Sequence, residues 1–201
     1  MKKKIIIASD FDGTLTTKDT MLEFIRHCYG THGLIIHLLR IMPFLLLMKI
    51  KVYPNGKAKE RLLRNCFSGK TQTQLSQLAQ RFADDNTHLL RQSLLTRLRT
   101  AQSEGTEVFI VTASADLWVT KMVPDLTVIS TQLEFDDDGI FTGRLLTPNC
   151  HGAEKVRRLE NHYSLLRTER HQFHVVAYGD SSGDKQLLQY ADEPHCVQFV
   201  K

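Results

Sequence analysis

The stretch Ile5-Ile6-Ile7-Ala8-Ser9-Asp10-Phe11-Asp12-Gly13-Thr14 is an apolar, β-branched run that ends abruptly in two carboxylates two residues apart. A short continuous run of this kind, bounded by polar residues, reads as a buried strand over residues 3–9. Gly13 then permits a sharp loop.

Beyond Asn86 the pattern is that of an α/β chain. Leu89, Leu90, Leu94, Leu95 and Leu98 give a helix over 88–103, stopped by Gly105. Strands are expected at 107–111, ending in Thr112-Ala113-Ser114, and at 127–130. A β-hairpin over 132–146 turns at Asp138-Gly139. A helix at 152–163, a strand at 173–178 ending in Gly179-Asp180, and a last strand at 195–200 complete the pattern. Strands alternating with helices predict a Rossmann-like parallel sheet of about five strands with helices on both faces.

Between the first strand and this region the periodicity is helical, from about Asp19 to Asp85. Gly30, Gly33, Pro43, Pro54-Asn55-Gly56 and Ser68-Gly69 punctuate it into about four helices. The expected organisation is therefore a core of residues 1–17 and 86–201 with an inserted helical cap over 18–85. The charge is uneven too. From Thr20 to Lys70, nine Lys/Arg face only Glu23 and Glu60, so this segment carries +7 while the rest of the chain, against a total of +4, carries −3. A basic insert in a mildly acidic chain points to an anionic partner.

The most apolar stretch, Leu34 to Met48, lies in this insert. A membrane span needs about 20 apolar residues, and a central arginine costs roughly 2.5–3.5 kcal/mol. Arg40 and Pro43 at its middle argue against a span. The expectation is the core of the helical insert; the alternative is a helix lying on a membrane surface, which Lys49, Lys51, Lys57 and Lys59 would favour.

Composition limits the remaining classes. With 42% hydrophobic and 24% charged residues, the chain is a soluble globular type. Cys28, Cys66, Cys150 and Cys196 form no CxxC pair, so neither a zinc site nor a disulfide framework is indicated. Three isoleucines behind Lys2-Lys3-Lys4 are too few for an export signal. A cytoplasmic protein is expected, with membrane association through the insert as an option and no nucleic-acid partner.

Ligands of an open parallel sheet bind beyond the carboxyl ends of its strands. Asp10 and Asp12, Thr112 and Ser114, and Asp180 with Asp184 all sit at such ends, and Lys155 near a helix start is the natural cation beside them. Ser114 reads as the N-cap of the next helix.

These residues resemble the four motifs of the haloacid dehalogenase-like hydrolases: Asp10-Phe11-Asp12-Gly13-Thr14-Leu15-Thr16, then Thr112, then Lys155, then Gly179-Asp180-Ser181-Ser182-Gly183-Asp184. The insert directly after the first motif is similar to the C1-type cap of the phosphoserine-phosphatase-like branch, subfamily IB. The resemblance implies a Mg²⁺-dependent phosphomonoesterase. Asp10 would be the nucleophile that forms an aspartyl-phosphate, and Asp12 the acid/base. Thr112, the amide of Ala113 and Lys155 would hold the phosphoryl oxygens. Mg²⁺, a hard cation, suits Asp10, Asp180 and the backbone carbonyl of Asp12, with Asp184 a ligand or a holder of ligands.

In such enzymes the cap reads the substrate. Family phosphoserine phosphatases carry a Glu about nine residues after the nucleophile and an Arg further into the cap; here Asp19 takes the first position, and Arg61 or Arg64 could be the second. The leucine-rich cap is also similar to that of the phosphatidylglycerophosphate phosphatase of this superfamily. A small phosphorylated metabolite and a lipid phosphate are both expected substrate classes, and a non-enzymatic phospholigand-binding protein is the contrasting one.

Overall fold

A computed structural model describes residues 3–197. Five parallel strands form the sheet: β1 (Lys4–Ser9), β2 (Glu107–Ala115), β3 (Thr127–Thr131), β6 (Phe173–Gly179) and β7 (Glu193–Cys196), in the order β3-β2-β1-β6-β7. β4 (Leu133–Phe135) and β5 (Phe141–Leu145) make a separate antiparallel hairpin. The helices are α1 (Thr20–Lys49), α2 (Asn55–Phe67), α3 (Gln72–Asp85), α4 (Gln92–Ser103), α5 (Asp116–Met122), α6 (Ala153–His162), α7 (Leu165–Thr168) and α8 (Lys185–Tyr190).

The central strands are buried on both faces, as parallel strands must be when helices cover each side. Ile6, Ala8, Phe109, Val111, Val175 and Ala177 face Leu159 of α6, Leu166 of α7 and Leu187 of α8. Their alternates Ile7, Val108, Ile110 and Val176 join a second cluster with α4 and α5. That cluster continues without a break into Phe24, Leu63, Phe67, Leu75 and Phe82 of α1, α2 and α3. The inserted helices therefore share the apolar core of one sheet face. Pro194, which has no amide hydrogen to give, sits in the edge strand β7, where a missing donor is tolerated.

Two elements differ from the sequence expectation. α4 begins four residues later than expected, because the chain pairs where it leaves and re-enters the insert. Thr17 N donates to Leu89 O and Arg91 N to Leu15 O, at 2.9 and 2.8 Å. Thr87–Leu89 thus form a 3-10 turn, and Leu90 bridges Thr16 in an antiparallel neck. The four helical segments expected of the insert are present, because Gly30 (φ 69°, ψ 176°) breaks α1 into two, whereas Gly33 and Pro43 do not interrupt it. The last strand starts two residues earlier than expected, and the expected residues 198–200 lie outside the described ones.

A third difference concerns the apolar stretch 34–48, which is not the core of the insert. Of these residues only Ile41 is fully buried; Ile35, Ile36, Leu39, Met42, Leu46 and Leu47 face outward. Leu34, Leu38 and Leu45 pack inward. The helix is apolar all round, a composition that ordinarily accompanies burial on all sides. Among the described residues α1 is the one helix long and apolar enough to cross a membrane, by length and composition.

Phe24 is the aromatic centre of the shared core. Its ring stacks on Trp118 of α5 at 5.0 Å and contacts Phe67 and Phe82 at 5.3 and 5.5 Å. Phe24→Ala should cost about 3–5 kcal/mol, since the ring is fully buried among Phe67, Phe82 and Trp118. Urea unfolding checks this; a loss below about 1 kcal/mol would contradict the shared core.

Candidate active site

β1, β2 and β6 are neighbours at the middle of the sheet, so residues at their carboxyl ends converge by topology alone. Asp10 follows β1 and continues its ladder, donating its backbone N–H to Tyr178 O at 2.9 Å. Its carboxylate is buried and accepts a hydrogen bond from Lys155 Nζ at 2.5 Å. The same ammonium donates to Asp184 Oδ1 at 2.5 Å. Lys155 lies in the first turn of α6 and is only 2% exposed. Burial opposes its charge, but Asp10 and Asp184 outweigh that and hold its pKa above the ordinary lysine value. Asp10 is pushed upward by burial and by Asp184 and Asp12, with Lys155 pulling the other way. Burial would also raise Asp184, yet Lys155 beside it keeps it below the usual carboxylate range.

Asp12 points differently. Its Oδ1 accepts from the backbone N and the hydroxyl of Thr20, at 2.8 and 2.5 Å, and its Oδ2 accepts from the Ser114 hydroxyl. Thr20 in turn accepts a hydrogen bond from Trp118 Nε1 at 3.0 Å. A carboxylate gripped on both oxygens, one side from α1 and the other from the end of β2, is fixed in direction. Ser114 is therefore not the N-cap of the helix that follows; Ala115 occupies that position without a side-chain bond.

Thr112 is buried and accepts from Ser114 N at 3.1 Å. It lines a pocket of about 550 Å³ together with Asp10, Asp12, Ala113, Lys155 and Asp180. Gly13 explains the tightness of the first loop. Its φ is +75°, and a Cβ there would come within 2.3 Å of Asp180 Oδ2. Only a residue without a side chain lets the two loops approach this closely.

The residues drawn from the insert divide. Asp19, the N-cap of α1, is on the pocket wall. Arg61 and Arg64 are not: Arg61 lies 3.6 Å over the Phe44 ring, and Arg64 packs where a Cβ of Gly143 would be. The cation of α2 that enters the pocket is Lys59, which donates to Ala113 O at 2.5 Å and to Asn149 Oδ1 at 3.1 Å. Asn55, Ala58, Lys59 and Leu62 line the pocket at helical spacing, so the register of α2 carried the signal that separates Lys59 from the two arginines.

Asp10, Asp180 and Asp184 offer carboxylate oxygens within 4.8 Å of one another. An all-oxygen, acidic donor set fits Mg²⁺ rather than a softer metal. Asp184 is largely spent on the protein: Oδ1 serves Lys155, and Oδ2 accepts from Ser181 N, Ser181 Oγ and Asp180 N at 3.0, 2.8 and 3.3 Å. It orders the loop that carries Asp180, whose Oδ1 accepts from Thr14 Oγ1 at 3.2 Å.

Comparison with known proteins gives the family and the fold. The model of the haloacid dehalogenase-like hydrolases matches residues 7–189. Protein CicA of Caulobacter vibrioides is 34% identical over 194 residues, covering 94% of this chain and 84% of that protein. A protein of unknown function from Bordetella pertussis Tohama I superposes with a TM-score of 0.81 at 19% identity, covering 97% of this chain and 90% of the other. A phosphoserine phosphohydrolase-like protein from Francisella tularensis has the same fold, with a TM-score of 0.65 at 18% identity over 95% and 84% of the two chains.

Because a Cβ on Gly13 would collide with the Asp180 carboxylate, Gly13→Ala should weaken Mg²⁺ binding at Asp10 and Asp180 about 10–100-fold, the range seen when a residue supporting metal ligands is changed. Calorimetric titration with Mg²⁺ checks it, and an unchanged affinity would contradict the placement of the metal at these two loops.

Proposed function

The chain belongs to the haloacid dehalogenase-like hydrolases, and from that premise we propose that it is a Mg²⁺-dependent phosphomonoesterase working through an aspartyl-phosphate on Asp10. The observation that carries this reading is the division of labour between the two carboxylates of the first loop. Asp10 is buried against Lys155 and faces the pocket, while Asp12 is held on both oxygens by Thr20 and Ser114. A nucleophile and an acid/base need these two different environments.

Phosphate monoesters resist spontaneous hydrolysis so strongly that positioning and charge neutralisation must supply most of the acceleration. Thr112 and the backbone after it would bind phosphoryl oxygens, and Lys155 would keep Asp10 ionised and balance the incoming charge. Asp12 would protonate the leaving oxygen and then take a proton from the attacking water. Mg²⁺, held by Asp10, Asp180 and the Asp12 carbonyl, would neutralise further phosphoryl charge when bound.

Two substrate readings follow from the outer pocket. Asp19 and Lys59 set an acid and a cation beside the catalytic floor, as a zwitterionic small molecule such as phosphoserine would require. Met21, Leu45, Met48 and Leu62 supply an apolar wall instead, which favours a phosphate ester carrying a hydrocarbon portion.

Asp10→Asn should abolish turnover of an aryl phosphate while the circular dichroism and melting of the protein stay near wild type, and excess EDTA should silence the wild-type protein. Retained turnover in either case would remove the assignment. Thr20→Val keeps the shape and the backbone donor but deletes the hydroxyl on Asp12. A hydrogen bond to a charged group contributes about 1.5–3 kcal/mol, so kcat should fall roughly ten- to a hundredfold with little change in KM. Steady-state kinetics on the same ester checks it; an unaltered kcat would mean that Thr20 does not position Asp12.

A further inference from the structure

Among the described residues, the outward face of α1 beyond Gly30 has no covering partner. Ile35, Leu39, Met42 and Leu46 recur at helical spacing along it and are 43–59% exposed, with Ile36 and Leu47 beside them. Ile50 and Val52 extend the patch to 67% and 69% exposure in the turn after the helix. Soluble monomers rarely leave so many large apolar side chains contiguous on the surface.

Charge narrows what can cover this face. No Asp or Glu occurs between Glu23 and Glu60, while Arg40, Lys49, Lys51 and Lys57 all do. Arg40 lies on the exposed side of the helix, and Lys49 and Lys51 flank the exposed Ile50 at its end. A second copy of the chain meeting this face about a two-fold axis would bring like charges together with no acid to offset them. An anionic phospholipid surface satisfies both features, accepting the apolar side chains among its acyl chains and the cations at its headgroups.

The same helix also reaches the active site. Leu45 and Met48 line the pocket that holds Asp10 and Lys155, while their neighbours Leu46 and Leu47 point outward. One helical turn thus carries an apolar pocket wall on one side and an apolar exterior on the other. We propose that the outward face of α1 from Ile35 to Val52 docks on an anionic phospholipid leaflet and that the pocket receives a lipid phosphomonoester headgroup from that surface. The substrate half of this statement rests on the phosphomonoesterase reading of the site; the docking half does not.

The experiment compares the wild-type protein with the double variant Leu39→Glu/Leu46→Glu, whose two side chains are exposed and lie outside the pocket. Sedimentation is measured with vesicles of pure phosphatidylcholine and of phosphatidylcholine mixed with phosphatidylglycerol, at low and high salt. The wild type should bind the anionic vesicles at least tenfold better than the neutral ones and lose most of that binding in high salt. The variant should lose at least tenfold on the anionic vesicles. Turnover of p-nitrophenyl phosphate should be equal in the two proteins, whereas release of phosphate from phosphatidic acid in vesicles should fall at least tenfold in the variant.

Absence of wild-type binding to anionic vesicles at low salt would overturn the docking surface, as would a stable dimer that the variant converts to monomer. Vesicle binding without any hydrolysis of phosphatidic acid, in a protein that does turn over p-nitrophenyl phosphate, would overturn the lipid substrate alone. Failure on p-nitrophenyl phosphate with Mg²⁺ present would instead strike the phosphomonoesterase reading and leave the docking result standing.

Discussion

One buried ammonium organises this molecule. Lys155 Nζ sits 2.5 Å from carboxylate oxygens of both Asp10 and Asp184, which arrive from the end of β1 and from the loop after β6. Removing three such charges from water costs several kcal/mol per ion, and their attraction offsets it only when geometry is good and the remaining oxygens are satisfied. That demand explains the surrounding detail. Asp184 has its second oxygen filled by Ser181 and the Asp180 amide, and α6 is anchored by Gly152 N donating to Gly183 O at 2.9 Å. A buried triad of this kind adds little net stability. Its value is directional, because it holds the Asp10 carboxylate where the pocket needs it.

The same logic separates Asp12 from Asp10. Two carboxylates two residues apart on a regular strand would point to the same side. Gly13 and the turn over residues 11–15 break that regularity and send Asp12 toward Thr20 and Ser114. The first residues of the insert thereby become part of the site, and Trp118 ties them back to the core through Thr20.

What could be read from the chain follows from the range of the interactions involved. The strands around Ile6, Val108 and Val175 were legible because double-sided burial demands continuous apolar runs, and the convergence of Asp10, Thr112 and Asp180 on one pocket because polar residues at the ends of adjacent parallel strands meet by topology. Ser114 was misread because a hydroxyl at a strand end looks the same whether it caps a helix or holds a carboxylate 102 positions away. The delayed start of α4 depends on pairing between residues 15–17 and 89–91 across the whole insert, which no local window contains. The exposure of residues 35–47 was hidden for a different reason. An all-round apolar helix normally means a covering partner, and the described residues supply none.

The central claim is that hydrolysis passes through Asp10. A p-nitrophenyl ester leaves without protonation, whereas breakdown of the acyl phosphate needs Asp12 as base; Asp12→Ala should therefore accumulate the intermediate. Rapid acid quench of that variant with p-nitrophenyl phosphate and Mg²⁺, followed by peptide mass mapping, tests this most directly. One phosphoryl group is expected on the peptide containing Asp10, appearing in step with a burst of p-nitrophenol. A burst with the phosphoryl group on another residue, or steady release with no modified protein, would contradict it.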